Sequence, residues 1–257
     1  EYSPTTESII MEINKYLDST YLKTPQQAGL SEEETLKKVY ELTDEALENN
    51  FFEVMIRPDY VKEIKDYLKS KNSEIKVGTV IGFHEGTAST VDKLSEAKKA
   101  IADGVDELDF VINYEAFKAG NIYLVKNEFV EGTKLALEND KIVKWIIEIA
   151  ALTDEQIVNI TKNMRIWAEE NFDESDLQNI FVKSSTGFYP TENGKPNGAT
   201  FEGIKLMLEN AGKLSVKAAG GVKTPADAEK MILMGVKRIG TSSAKALVSD
   251  EKAQDGY

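Results

Sequence analysis

The chain has 257 residues, a formal net charge of −13 at pH 7, no cysteine and a single histidine, His84. The missing thiols exclude disulfides, thiolate nucleophiles and sulfur-ligated metals, and one histidine disfavours both a multi-histidine zinc site and a Ser-His-Asp triad. The acidic charge argues against a nucleic-acid partner, and apolar runs too short for a membrane span or a signal peptide make us expect a cytoplasmic protein without membrane association.

An amphipathic helix is predicted at the start of the chain, roughly from Thr6 to Leu17, because Ile9, Ile10 and Ile13 fall on one side of it. After this helix, short apolar runs alternate with charged segments of helical periodicity. Eight of the apolar runs are predicted to be β-strands: Tyr16–Thr20, Phe52–Ile56, Ile75–Ile81, Glu107–Ile112, Ile142–Ile149, Asn179–Ser184, Leu214–Ala218 and Arg238–Thr241.

The segments between the runs carry the start and stop signals of helices. Ser31 and Glu34 have the spacing of a capping box, as do Thr153 and Gln156. Eight β-then-α units predict a single α/β domain, residues 1–257, folded as a (β/α)8 TIM barrel with an extra N-terminal helix. The alternative is an open doubly wound sheet, but no G-x-G-x-x-G motif follows the first strand. Glycines also stand just before strands, where a helix C-cap belongs: Gly104, Gly212 and Gly235.

Two lysines stand near the ends of apolar runs, Lys183 in Ile180–Gly187 and Lys217 in Leu214–Gly221. A cation in a buried strand costs several kcal/mol unless it is compensated or used. An amine that forms a Schiff base at neutral pH needs a depressed pKa, and a second ammonium beside it supplies one. The lysines are 34 positions apart, about one βα unit. We therefore expect them on the sixth and seventh strands, with at least one of them functional.

Charged residues at alternating strand positions are predicted to face the barrel interior, since the other side of each strand lies beneath apolar helices. Asp109 on the fourth strand shares this parity with Glu107. We expect its carboxylate in the cavity of the two lysines, where it balances charge and relays protons. Such residues converge on the C-terminal face that carries barrel active sites. Lys144 and Glu148, on the fifth strand, are interpreted as a structural ion layer.

Glycines and serines follow the last two strands, where barrels often hold a phosphate. Gly220 and Gly221 follow the seventh strand, and Ser242 and Ser243 follow the eighth. Backbone N–H groups and hydroxyls there suit an anion inside an acidic protein. We therefore predict a phosphate site, with a further contact from Thr186-Gly187 after the sixth strand. Each feature alone is also typical of an ordinary turn or an N-cap.

Four of these segments resemble the deoxyribose-phosphate aldolase family, the class I aldolases of deoxynucleoside breakdown. The resemblance implies reversible cleavage of 2-deoxy-D-ribose 5-phosphate to acetaldehyde and D-glyceraldehyde 3-phosphate. Because a protonated imine is the electron sink in that family, it also implies that no metal or organic cofactor is needed. The similarity runs through nearly the whole chain and is strongest in Phe181–Gly187, Val216–Thr224, Gly240–Ala244 and Asp106–Val111.

The resemblance also implies roles for individual residues. Lys183 matches the Schiff-base lysine, Lys217 matches the lysine that perturbs its pKa, and Asp109 matches the acid in the proton relay. Tyr257 matches a mobile C-terminal tyrosine that reaches the site and assists proton transfer. The remaining matches are the phosphate contacts Gly220, Gly221, Ser242 and Ser243 and two positions near the substrate chain, Thr20 and Thr186.

Three features depart from the family pattern. The segment Val54–Pro58 lacks the cysteine that many members carry, so thiol-linked inactivation by aldehyde is not expected there. The loop Phe188–Gly198 is longer than usual and follows the Schiff-base strand, where it is placed to reshape the phosphate side. Phe188 also stands where some members have a lysine, so one phosphate cation is missing.

Two other functions stay open from the sequence. One is a different Schiff-base barrel aldolase or transaldolase acting on another phosphorylated sugar or keto acid, which does not need the second lysine. The other is a phosphate-binding barrel without catalysis, against which the combination of Lys183, Lys217 and Asp109 argues. The expected partners are small phosphorylated sugars and aldehydes. Barrels of this kind often pair through their outer helices, so a homodimer is the assembly we expect.

Overall fold

Eight parallel β-strands form a closed barrel in a computed structural model of the protein, which describes residues 13–249. Neighbouring strands in the sequence are neighbours in space, and β8 pairs with β1 to close the barrel. Each of the eight predicted runs coincides with one strand, so the predicted TIM barrel is confirmed. The strands are β1 Leu17–Tyr21, β2 Glu53–Ile56, β3 Lys76–Ile81, β4 Glu107–Val111, β5 Ile142–Ile146, β6 Ile180–Lys183, β7 Ser215–Ala219 and β8 Arg238–Thr241.

Helices connect the strands and surround the barrel. None of them, within residues 13–249, is long and apolar enough to cross a membrane. The α-helices of this range are α1 Pro25–Ala28, α2 Glu32–Asn49, α3 Val61–Ser70, α4 Thr90–Ala102, α5 Tyr114–Lys118, α6 Ile122–Glu138, α7 Asp154–Asn171, α8 Phe201–Asn210, α9 Pro225–Met234 and α10 Ala244–Ser249.

The predicted helix starts are confirmed. Ser31 Oγ accepts a hydrogen bond from Glu34 N–H at 3.0 Å, and the Glu34 carboxylate accepts one from Ser31 N–H at 3.1 Å. Thr153 and Gln156 form the same reciprocal pair at the start of α7. These bonds satisfy N–H groups that the first turn of a helix leaves without a partner.

Most predicted strand boundaries differ from the observed ones by one residue, and two predicted elements need a larger correction. The opening helix, Thr6 to Leu17, lies mostly outside the described residues, but Leu17 already belongs to β1. The predicted fifth strand is too long, because β5 ends at Ile146. Glu148 then adopts φ 60° and ψ 70°, a left-handed conformation that cannot continue an extended strand.

Trp145 shows which side of β5 faces the helices. Its indole ring stacks on Phe110 of β4 at 4.6 Å between ring centroids and packs against Phe129 of α6. Gly132 of α6 leaves room for this ring, since a Cβ there would lie 2.6 Å from Trp145 Cζ2. Adjacent strand residues point to opposite sides, so Lys144 faces the barrel interior.

A buried ion pair joins two outer helices to the C-terminal face of the barrel. Lys93 Nζ of α4 contacts Glu128 Oε2 of α6 at 2.7 Å and donates hydrogen bonds to Gly86 O and Val111 O. The sequence analysis did not single out this pair. Its contacts fix the connection after β3 against the end of β4, next to the active-site face.

Candidate active site

Ion pairs link eight buried ionisable side chains inside the barrel, counted among residues 13–249. Carboxylates from β1, β2 and β4 face cations from β5 to β8 across the interior, as expected when buried charges must be compensated. The acidic members are Asp18, Glu53, Glu107 and Asp109, and the basic members are Lys144, Lys183, Lys217 and Arg238.

Arg238 organises the N-terminal end of the interior. Its Nη1 lies 2.7 Å from Asp18 Oδ1, 3.1 Å from Glu53 Oε2 and 2.9 Å from Glu107 Oε1. The three carboxylates are close enough together to hold a metal ion, but the guanidinium stands between them and Lys144 Nζ lies 2.7 Å from Glu107. Arg238 was not predicted from the sequence, because a buried charged residue at the first position of a strand cannot be distinguished there from a solvent-exposed one.

The charges in this layer perturb one another. Burial disfavours ionisation of Asp18 and Glu107, yet Arg238 and Lys144 outweigh it and hold the pKa of both carboxyl groups below the usual range. Burial and the neighbouring Asp18 and Glu107 instead raise the pKa of Glu53 well above its usual value. Glu53 is therefore the carboxyl group of the layer that holds a proton most readily.

The two predicted lysines meet on one carboxylate oxygen. Lys183 of β6 and Lys217 of β7 are direct register partners, as the sequence spacing predicts. Each Nζ lies 3.0 Å from Asp109 Oδ2, and all three side chains are fully buried. Lys217 Nζ also lies 2.7 Å from Asp18 Oδ2. The structure thus brings together the residues predicted to carry the chemistry.

Asp109 joins the lysine pair to the layer beneath it. Its Oδ1 accepts a hydrogen bond from Lys144 Nζ at 2.8 Å, while its Oδ2 faces Lys183 and Lys217. Burial opposes ionisation of Asp109, but the charges of Lys144, Lys217 and Lys183 together hold its pKa below the usual range. Asp109 is consequently a carboxylate at neutral pH.

The interpretation of Lys144 and Glu148 as one ion layer is wrong. Lys144 does lie in a structural layer, where it contacts Asp18, Glu53, Glu107 and Asp109. Glu148 lies beyond the end of β5, and its left-handed backbone turns its side chain to Thr186 instead. The parity argument fails here because the strand ends two residues before Glu148.

The predicted phosphate residues lie in the connections after β7 and β8. Gly220 and Gly221 have φ values of 69° and 73°, which glycine adopts without strain. Gly220 N–H donates to Gly240 O at 3.0 Å and is thereby committed to the barrel. Ser242 and Ser243 are half-buried, and Ser243 N–H donates to Thr241 Oγ1.

Thr20, Thr186 and Gly187 lie at the C-terminal ends of β1 and β6. Thr20 is buried and donates a hydrogen bond to Asp18 O at 2.9 Å. Gly187 O accepts a hydrogen bond from Asn197 Nδ2 at 2.9 Å, which ties the long loop after β6 back to its start. Tyr257 lies outside the described residues.

An aromatic group that the sequence analysis did not predict stands on the same face. The ring of Phe188 stacks on His84 at 5.4 Å and meets Phe83 edge-on at 5.3 Å. Phe83 and Phe188 pack against buried Met55 and Val80. This edge of the site is therefore apolar. By the family resemblance, Phe188 takes the position at which some members have a lysine.

No protein-family model matches the chain. A deoxyribose-phosphate aldolase from Thermococcus kodakarensis is 42% identical over 238 residues, which are 92% of this chain and 96% of that protein. Another from Caldicellulosiruptor saccharolyticus is 40% identical over 93% of this chain and 98% of its own length. The chain belongs to the deoxyribose-phosphate aldolase family. It is an aldolase, and thus a lyase, which confirms the family expected from the sequence.

A solved structure agrees with this assignment. The tetrameric deoxyribose phosphate aldolase from Aeropyrum pernix is 26% identical, with a TM-score of 0.73 over 96% of this chain and 92% of that chain. This aldolase therefore shares both sequence and fold with the family.

Replacing Arg238 by methionine is expected to destabilise the aldolase by about 3–5 kcal/mol, because it leaves buried carboxylates without their cation. Urea unfolding at pH 7 measures the effect. The control is Lys237→Met, which removes an exposed charge at the preceding position. Equal unfolding midpoints for the two variants would contradict the assignment of Arg238 to the interior layer.

Proposed function

We propose that this aldolase reversibly cleaves 2-deoxy-D-ribose 5-phosphate to acetaldehyde and D-glyceraldehyde 3-phosphate through a Schiff base on Lys183. The observation that carries the proposal is the contact of Lys183 Nζ and Lys217 Nζ with the same oxygen of Asp109, each at 3.0 Å. The names of the relatives supply the substrate, and the paired amines supply the chemistry.

The charge balance of the interior supports a neutral amine, which is the form that attacks a carbonyl. Burial and neighbouring carboxylates raise the pKa of Glu53, which favours its protonated form. Within the network of eight side chains, three carboxylates then remain for four basic groups. One basic group must be uncharged for the buried cluster to be neutral, and a net buried charge is costly.

We assign the uncharged form to Lys183. Carboxylates outweigh the burial of Lys144 and Arg238 and raise the pKa of both groups, so these two stay charged. Lys217 is held as an ammonium by Asp18 at 2.7 Å and Asp109 at 3.0 Å. An ammonium on Lys217 disfavours a second positive charge on the neighbouring strand.

The bond changes follow from a nucleophilic amine at this position. Lys183 Nζ adds to the C1 aldehyde of the open-chain sugar, and loss of water from the carbinolamine gives a protonated imine. The C2–C3 bond then breaks as the C3 hydroxyl gives its proton to the carboxylate of Asp109, and the electron pair of that bond moves into the imine to form an enamine. Protonation of the enamine at C2 and hydrolysis of the imine release acetaldehyde and restore the lysine.

Asp109 and Lys217 are the groups that we assign to the proton transfers in these steps. Because the pKa of Asp109 is held low, its carboxylate is ionised at neutral pH; it orients both amines, and it passes on a proton that it accepts during the reaction. The ammonium of Lys217 shares that oxygen and is the proton donor next to Lys183. Tyr257 is expected to assist, as the family resemblance implies.

The phosphate is proposed to bind at the connections after β7 and β8. Gly221 N–H and the hydroxyls of Ser242 and Ser243 are the groups we assign to it. Gly220 N–H already bonds to Gly240 O, so Gly220 contributes the turn rather than a donor. Such local donors bind an anion through short-range dipoles, without a neighbouring excess of positive charge.

Borohydride reduction in the presence of acetaldehyde tests the Schiff base. The wild-type chain is expected to gain one N-ethyl group, and peptide mapping is expected to place it on Lys183. Lys183→Arg keeps a cation but has no nucleophilic amine at neutral pH, so it measures background modification of surface lysines. Equal labelling of the two proteins would contradict the assignment.

Replacing Lys217 by leucine tests the partner amine. Without the Lys217 ammonium, a positive charge on the neighbouring strand is no longer disfavoured, so half-maximal imine trapping is expected at a higher pH. Trapping yield across a pH series measures the shift. Lys217→Arg preserves the charge and is expected to shift much less; an unchanged midpoint in Lys217→Leu would remove the electrostatic argument.

Retro-aldol rates with a panel of phosphorylated sugars test the substrate. The largest kcat/KM is expected for 2-deoxy-D-ribose 5-phosphate, and the unphosphorylated sugar is expected to bind more weakly because it leaves the phosphate donors without a partner. A larger kcat/KM for a different sugar phosphate, together with normal imine trapping, would favour another Schiff-base aldolase.

A further inference from the structure

Glu148 is a buried carboxyl group next to the lysine pair that the proposed mechanism leaves unused. Its relative exposure is 0%, although it lies beyond the end of β5. Both neighbours are anchored to β6 and its continuation, since Ile147 N–H donates to Lys183 O at 3.0 Å and Ile149 N–H donates to Ser184 O at 2.9 Å. Glu148 is therefore held in place from both sides.

The backbone of Glu148 is in a conformation that residues other than glycine rarely adopt. Its φ of 60° and ψ of 70° lie in the left-handed region. Conformations of this kind persist where the surroundings fix them, and they cluster at functional sites. Here the turn directs the carboxyl group toward Thr186, which follows the Schiff-base strand.

The contacts between Glu148 and Thr186 are specific. Thr186 N–H donates to Glu148 Oε1 at 3.2 Å, and the Thr186 hydroxyl donates to Glu148 Oε2. Thr186 Oγ1 also accepts a hydrogen bond from Phe188 N–H at 3.1 Å. While Glu148 is ionised, the only hydrogen of the Thr186 hydroxyl is committed to the carboxylate.

Protonation of Glu148 reverses one of these bonds. A protonated carboxyl group has an O–H that donates to Thr186 Oγ1. The hydroxyl hydrogen of Thr186 is then released and can be directed into the site. Thr186 N–H keeps its acceptor in both states, because the other carboxyl oxygen remains available.

We propose that Glu148 is a positioning residue whose protonation state decides whether the Thr186 hydroxyl can donate a hydrogen bond to the substrate. The proposal rests on the proposed function, because that function places Thr186 next to the substrate chain. It gives the aldolase a hydrogen-bond donor whose availability depends on pH and which none of the proposed proton-transfer steps consumes.

The electrostatic surroundings place the change near neutral pH. Burial raises the pKa of Glu148 to about 7, against the hydrogen bonds from Thr186 and the charge of Lys183. Among residues 13–249, Lys183 from β6 and Tyr114 from α5 interact electrostatically with Glu148, and burial together with Glu148 raises the pKa of Tyr114. The donating form of Thr186 therefore predominates below about pH 7 and is lost as the pH rises through that value.

Glu148→Gln tests the proposal, because glutamine offers Thr186 Oγ1 an N–H donor and keeps a carbonyl acceptor for Thr186 N–H. The readout is the ratio of kcat/KM for 2-deoxy-D-ribose 5-phosphate between the variant and the wild type. This ratio is expected to rise about tenfold between pH 6 and pH 8, as the wild type loses the protonated carboxyl group. The control Glu131→Gln removes an exposed carboxylate from α6, and its ratio is expected to stay constant.

Thr186→Val supplies the second half of the test. The double variant Glu148→Gln/Thr186→Val is compared with Thr186→Val, which lacks the hydroxyl. The ratio of their kcat/KM values is expected to be the same at every pH. If Glu148 had a purely structural role, its replacement would lower kcat/KM by the same factor at pH 6 and at pH 8. A ratio of kcat/KM between Glu148→Gln and the wild type that does not change with pH therefore overturns the proposal.

An infrared titration follows the carboxyl group without the reaction. One protonated carboxyl group is expected to lose its stretching band between pH 6 and pH 8 in the wild type, and this loss is expected to be missing from Glu148→Gln, where a band from Glu53 stays constant. A wild type without that change overturns the proposal. If the imine is trapped but the kcat/KM ratio does not change with pH, only the role of Glu148 is overturned. If the wild type forms no imine, the proposed function is overturned and this inference with it.

Discussion

The neutralisation of buried charge inside the barrel is the constraint on which the rest of the structure depends. Asp109 shows it most directly, because one oxygen contacts Lys144 and the other contacts Lys183 and Lys217. These contacts exist only in one strand register, since a shift by one residue would turn each charge toward the helices. The register and the ion network therefore specify each other, and Asp109 connects the Arg238 layer to the lysine pair.

A network of this kind is better explained by positioning than by stability. Buried ion pairs contribute little net stability compared with a well-packed apolar core. They do, however, hold polar groups in fixed places, and preorganised charges are what a site needs to stabilise a developing charge. Arg238 and its carboxylates fill the N-terminal half of the barrel, where no chemistry is proposed. Their effect on the site passes through Asp18 and Asp109, which set the environment of Lys217 and Lys183.

The sequence predicts the barrel and its lysine pair because both depend on short, repeated patterns. Apolar runs mark the eight strands, and a spacing of one βα unit places Lys183 beside Lys217. Glu148 could not be placed in this way, because a single left-handed residue ends the parity that the pattern assumes. Arg238 and Lys93 look like surface charges in the sequence, and only the contacts made by distant strands and helices bury them.

The acidic character of the chain bears on how a phosphorylated substrate is held. With a net charge of −13, the overall field repels an anion, so attraction must come from groups within a few ångströms of it. In the proposed function, glycine and serine after β7 and β8 supply such groups, while Phe188 contributes an apolar ring stacked on His84. Burial lowers the pKa of His84, which disfavours a cation there as well. Binding of the proposed substrate at this face is therefore expected to depend on the direction of N–H and O–H dipoles, whose fixed geometry matters more than the number of positive charges nearby.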